Sequence, residues 1–129
     1  MNVKTRDRLL RAARAAAARA YAPFSELRIG AAVLTGDGRI FSGCNVENSS
    51  YGLTMCAERV AIFKAVSTGQ RRIRAVLVYA DTARLTPPCG ACLQVINEFG
   101  ADAEIVLANS RASKRYRLKD LLPLGFRLT

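Results

Sequence analysis

The sequence predicts an α/β protein: a three-layer α/β/α sandwich with a central mixed sheet of about five strands. Three observations carry this. After an opening helix and hairpin, helical and strand patterns alternate along the chain. Residues 73–80 (IRAVLVYA) read as a strand apolar on both faces, which needs helices above and below the sheet. The 129 residues suit one domain over 1–129, because two cores in so short a chain would each be too small to hold.

Residues 5–20 are rich in Ala, Leu and Arg and predict a helix, with Thr5 as N-cap and Pro23 just beyond its end. Its apolar face (Leu9, Leu10, Ala13, Ala17, Tyr21) is thin, which places it at a surface. Strands at 27–35 and 39–44 flank Gly36-Asp37-Gly38, a strong hairpin turn. A polar loop leads to a helix over 55–67, with an apolar stripe through Met55, Ala61, Ile62 and Ala65 and Gly69 as its stop. Strand 73–80 follows, then a loop, a helix at 89–99 ended by Gly100, and a strand at 104–108. An edge strand at 114–117 and a short helix at 118–122, stopped by Pro123, complete the order.

The chain contains no histidine. This excludes Ser-His-Asp and Cys-His catalysis within one chain, and His-ligated metals. Proton transfer near neutral pH then falls to a carboxylate, a tyrosine, a lysine or a metal-bound water. No apolar run approaches the roughly 18 to 20 residues a membrane span needs, and the charged N-terminus does not read as a secretory signal. The expected location is cytoplasmic. Lys and Arg total 20 against 10 acidic residues, for a formal +10 and a pI near 10.2. That balance raises the question of a nucleic-acid partner. The basic residues are dispersed, however, and sixteen of the 20 are arginine, which fits a solvated surface.

Cys89-Gly90-Ala91-Cys92 is a C-x-x-C step opening a helix directly after Pro87-Pro88. Cys56 sits at the start of the other central helix. Helix N-termini favour thiolate over thiol, the form a metal needs. Three thiolates presented to one point suit zinc with an open fourth position, whereas Cys44 as fourth ligand would close the site. A redox C-x-x-C would leave Cys56 unexplained, and a disulfide framework does not suit a chain without a secretion signal. Glu58, two residues after Cys56, is either a first-turn helix glutamate or the general acid/base beside the metal.

Cys56-Ala57-Glu58 with Pro88-Cys89-Gly90-Ala91-Cys92 resembles the zinc deaminase signature in its three-cysteine form. More narrowly, the chain resembles the small homotetrameric cytidine deaminases, through Tyr21-Ala22-Pro23-Phe24-Ser25, Gly30-Ala31-Ala32, Gly43-Cys44-Asn45-Val46-Glu47-Asn48 and Leu121-Leu122-Pro123. The resemblance implies zinc-dependent hydrolytic deamination of cytidine and 2′-deoxycytidine, with one zinc per subunit held by Cys56, Cys89 and Cys92 and Glu58 as proton shuttle. It implies that Asn45 and Glu47 hold the sugar 3′-hydroxyl and that Arg59 donates to the cysteine sulfurs. Tyr51 and Phe126 would complete a neighbouring subunit's site.

Two residues depart from the family pattern. Leu27 stands where a phenylalanine usually packs on the pyrimidine, a change worth about 1 kcal/mol of aromatic contact. Leu93 replaces an arginine after Cys92. An alternative is therefore deamination of another aminopyrimidine nucleoside, such as a modified cytidine or a nucleoside antibiotic, which a substrate panel would separate. A basic zinc module binding nucleic acid is the reading from another class. Its signature would be steep salt dependence, and nine aromatics without a tryptophan offer little stacking surface for it.

Overall fold

The computed structural model describes residues 1–128. Asn2, rather than Thr5, starts the first helix: its side chain accepts from the Thr5 amide at 2.8 Å, so α1 begins two residues early and runs Val3–Ala17. The hairpin is β1 (Ile29–Thr35) and β2 (Ile40–Cys44), followed by a 3-10 turn at Tyr51–Leu53 and α2 (Ala57–Ser67). Then come β3 (Ile73–Ala80), α3 (Gly90–Phe99), β4 (Glu104–Ala108), β5 (Ser113–Arg117) and α4 (Leu118–Leu121).

The five strands lie in the order β2-β1-β3-β4-β5. Only β3 and β4 pair in parallel; the other neighbours are antiparallel. The sheet is therefore mixed and three-layered, as the alternation of elements predicts. On one face Leu9, Ala13 and Ala17 of α1 pack on Ala32, Leu34, Leu77 and Tyr79. The thin apolar face is wide enough because its residues are small and the backbones close up. A Cβ at Gly30 would lie 1.8 Å from the Ala13 carbonyl oxygen, so only glycine admits α1 at this spacing. On the other face Ala57, Ala61, Ile62, Leu93 and Ile96 of α2 and α3 cover Val33, Val76, Val78 and Ile105. Gly43 plays the corresponding part for α2, where an added Cβ would meet the Ala61 nitrogen at 2.7 Å.

Several residues at element ends leave the elements that periodicity assigns them, Tyr21, Met55 and Leu27 among them. Tyr21 and Met55 are not helical: each forms a bridge to Val46, and these pairings stitch the two loops together beside the sheet. Leu27 precedes β1, because Glu26 takes a positive φ of 60° and turns the chain there. The register sets the start of β1 (Ile29) opposite the end of β3 (Ala80), with the end of β2 (Cys44) beside Gly30. One sheet edge thus gathers Leu27, Ile29, Asn45 and the starts of α2 and α3, the place where open α/β sheets bind ligands.

Candidate active site

Cys56 and Cys89 are the N-cap residues of α2 and α3, both extended, and neither side chain caps its helix. Their thiols are left free for another partner. Cys92 lies on the first turn of α3 and is buried, while Cys89 is exposed and Cys56 half-buried. The Cys56 and Cys89 sulfurs are 3.7 Å apart, and all three sulfurs lie within 4.8 Å of one another. Thiolates about 2.3 Å from a tetrahedral zinc stand about 3.8 Å from each other, so the donor set and its spacing fit zinc. Cys44, at the end of β2, falls outside this cluster among the described residues, leaving three ligands and an open position.

Hydrogen bonding from the Cys92 thiol, and then from Arg59 and Cys89, brings the Cys56 pKa down to about 5. The same cluster pushes the Cys92 thiol up, first through Cys56 and then through burial. Arg59 Nη2 donates to the Cys56 sulfur at 3.3 Å, a contact that favours thiolate there. Arg59 is half-buried rather than a surface residue. Leu93 is buried in the core beneath α3, in its place among apolar neighbours.

Glu58 is only 4% exposed. Burial pushes its carboxyl up to about 7, the range in which a group can both take and give a proton. It lines a cavity of about 290 Å³ together with Leu27, Asn45, Glu47, Cys56 and Cys89. The structure therefore brings together most of the residues expected from sequence. Ser25, Ile29, Thr54, Val78, Thr86 and Pro87 line it too. Of these, Thr86 and Pro87 were signalled only by directly preceding Pro88-Cys89.

Asn45 and Glu47 are already engaged with the protein. The Asn45 amide donates to the Leu27 carbonyl at 2.8 Å and accepts from the Ile29 amide at 2.9 Å, clamping the bend that leads into β1. Glu47 Oε1 accepts from the Phe24 and Ser25 amides at 2.9 and 3.2 Å, and Oε2 accepts from the Ser25 hydroxyl. These donors, the Ser25 hydroxyl first, lower its pKa. The Glu47 carboxylate is thus held charged where the cavity and an open recess share their lining.

Tyr51 lies on the rim, 75% exposed, its ring edge-on to Phe24 at 5.8 Å. Both line an open recess that shares Ser25, Glu47 and Thr54 with the cavity. Phe126 lies elsewhere. Its carbonyl accepts from Gln94 Nε2 at 2.7 Å and Asn97 Nδ2 at 3.3 Å, and its ring is 65% exposed. It does not reach this chain's own cavity.

A family model of the cytidine and deoxycytidylate deaminase zinc-binding region matches residues 3–108. A cytidine deaminase of Sporosarcina psychrophila is 52% identical over 122 residues, covering 93% of this chain and 90% of its own. One from Halalkalibacterium halodurans is 46% identical over 123 residues, covering 94% and 93%. The crystal structure of cytidine deaminase from Burkholderia pseudomallei superposes with a TM-score of 0.90 at 45% identity, covering 98% of this chain and all of that one.

Proposed function

The chain belongs to the cytidine and deoxycytidylate deaminase family, and we propose that within it this enzyme acts on the nucleoside, converting cytidine and 2′-deoxycytidine to uridine and 2′-deoxyuridine with release of ammonia. The observation that carries the choice of nucleoside over nucleotide is the charge of the cavity wall. Among the described residues of this chain Glu47 and Glu58 line it, and no lysine or arginine does. A 5′-phosphate would meet carboxylates and no cation, whereas sugar hydroxyls find acceptors.

Zinc, when bound by Cys56, Cys89 and Cys92, supplies the Lewis acid that makes water nucleophilic at neutral pH. The rest falls to the chain. Glu58 accepts a proton from the attacking water and passes it to N3 of the cytosine ring as the C4–O bond forms. It then carries the second water proton to the amine, which leaves as ammonia when the C4–N bond breaks. Arg59, donating to Cys56 Sγ, draws charge from the thiolates. Leu27, Ile29 and Val78 form an aliphatic wall for the base. Glu47, fixed by Ser25 and Phe24, and Asn45 beside it take the sugar hydroxyls.

Residues 1–129 act as one domain in this reading, and the working form is a homotetramer in which Tyr51 and Phe126 complete a neighbouring subunit's site. The exposure of both rings, with that of Leu53 and Leu124, supports it by leaving apolar surface for a second copy. The location is the cytoplasm; among the described residues no helix is long and apolar enough to cross a membrane.

The test is kcat/KM for cytidine against cytidine 5′-monophosphate. Cytidine should lead by at least about a hundred-fold, since a phosphate here is an unpaired charge beside a carboxylate. Equal rates, or a preferred nucleotide, would overturn the nucleoside assignment.

A further inference from the structure

A second concavity, of about 410 Å³, lies at the opposite end of the α2–α3 layer from the thiols. It is built where α2 has given way to β3 and where α3 has just ended, roughly one helix length from Cys56 and Cys89, or about 15 Å at 1.5 Å per residue. Arg71, Arg72, Arg74 and Arg127 line it, against two carboxylates, Glu98 and Asp102. Ion pairs elsewhere occupy Arg39, Arg115 and Arg117. None of these four guanidiniums has an ion pair or a side-chain acceptor among the described residues, although both carboxylates share the recess.

Two further features show that the recess is shaped. The β1–β3 ladder shifts register here: Leu34 pairs with Ala75 but Thr35 with Ile73, so Arg74 is an extra residue in β3. In an unbroken strand Ile73 and Ala75 would face the same side. Instead Ile73 joins the core under α2 and α3 while Ala75 joins the core under α1. Arg74 is left exposed in an otherwise buried strand. Bulges of this kind re-aim side chains beside functional sites. The walls are also fixed. The Gly36 amide donates to the Arg72 carbonyl at 2.9 Å, and a Cβ at Gly36 would press on Arg72 Cδ at 3.3 Å. At Gly100 an added Cβ would strike the Ile73 carbonyl oxygen at 2.5 Å, so the turn after α3 is seated against the start of β3.

Four arginines against two carboxylates leave the recess with a positive excess, and the forked donors of unpaired guanidiniums match phosphate oxygens. Its volume lies within the range of small-molecule sites. We propose that this arginine-lined recess binds a compact polyphosphate anion of the nucleoside-triphosphate class, at a site separate from the catalytic cavity. Phe99, half-buried on the recess wall, offers an apolar surface beside the phosphate chain. A site of this kind accounts for part of the basic excess that deamination leaves unused.

The test is calorimetric titration of the zinc-loaded protein with inorganic tripolyphosphate at low salt, with zinc content checked before and after. A single-stranded octathymidylate serves as the second probe. Saturable binding of tripolyphosphate is expected, unaffected by cytidine. The Arg71→Ala/Arg74→Ala double variant should weaken it by about ten-fold or more, as loss of forked phosphate contacts implies. Arg8→Ala/Arg11→Ala, which removes the same charge from the exposed side of α1, should change it less than about two-fold. Absence of saturable binding would overturn the proposal. So would equal weakening by the two double variants, or tighter binding of the octathymidylate than of tripolyphosphate, since either would indicate a dispersed polyelectrolyte surface.

Discussion

The two helical layers begin in opposite ways. On one side of the sheet, α1 is capped by Asn2, whose side chain accepts from the Thr5 amide. On the other, α2 and α3 begin at Cys56 and Cys89, whose side chains cap nothing. A side-chain cap is worth about 1 kcal/mol, so the second layer forgoes stabilisation at two helix starts. What it gains is three sulfurs within 4.8 Å, each near a helix end that favours thiolate. The layer that is locally best satisfied serves the fold, and the layer left unsatisfied serves the chemistry.

Substitutions at the uncapped helix starts should alter metal and activity far more than stability, and those in the α1 layer the reverse. Cys89→Ser should lower zinc content from one per chain toward none and reduce deamination by about a thousand-fold or more, as expected when a ligand to an essential metal is lost. Metal analysis beside an ammonia assay checks both. The same substitution supplies a hydroxyl able to cap α3, so the variant without metal should be no less stable than metal-free wild type.

Gly30→Val should cost about 3 kcal/mol or more in a urea titration, because the new side chain collides with the α1 backbone and cannot be relieved by a rotamer change. Asn2→Ala should cost about 1 kcal/mol with kcat/KM unchanged. A loss of activity there would show that the two layers are not separable.

The smallest effect concerns Glu104 on β4. The N-terminal ammonium at 2.8 Å, and after it Arg115, hold its pKa below the ordinary 4.5. A lowered folded-state pKa gives stability that is present above 4.5 and lost as the pH falls through the folded value. Glu104→Gln should therefore be less stable than wild type at pH 7 by under about 1 kcal/mol, with the difference vanishing in acid. Paired denaturation curves at pH 7 and pH 3 would show it.

The contrast between layers also explains what was legible in the sequence. Strand 73–80 matches β3 residue for residue, because a run apolar on both faces has one place to go. The thiols were legible because metal chemistry demands their spacing, whereas the part given to Glu58 rests on the resemblance to the zinc deaminases. The helix starts were harder. Thr5 has the chemistry of a cap, yet Asn2 precedes it, while Cys56 and Cys89 occupy cap positions without the usual cap chemistry. Tyr21 and Met55 fit helical periodicity, but their pairing with Val46 is a tertiary contact that no local pattern carries. The same holds for the Asn45 clamp on Leu27 and Ile29, and for the arginine recess. Residues 71–74 meet Arg127 there only because the C-terminal segment returns along α3, held by Gln94 and Asn97.

The most direct test of the central claim, that Glu58 moves protons beside a zinc held by Cys56, Cys89 and Cys92, is zinc content and ammonia release from cytidine measured on one preparation of Glu58→Ala. Glu58→Ala should keep one zinc per chain and an unchanged fold, with turnover lower by about a thousand-fold or more. Turnover near wild type with zinc in place would contradict the claim.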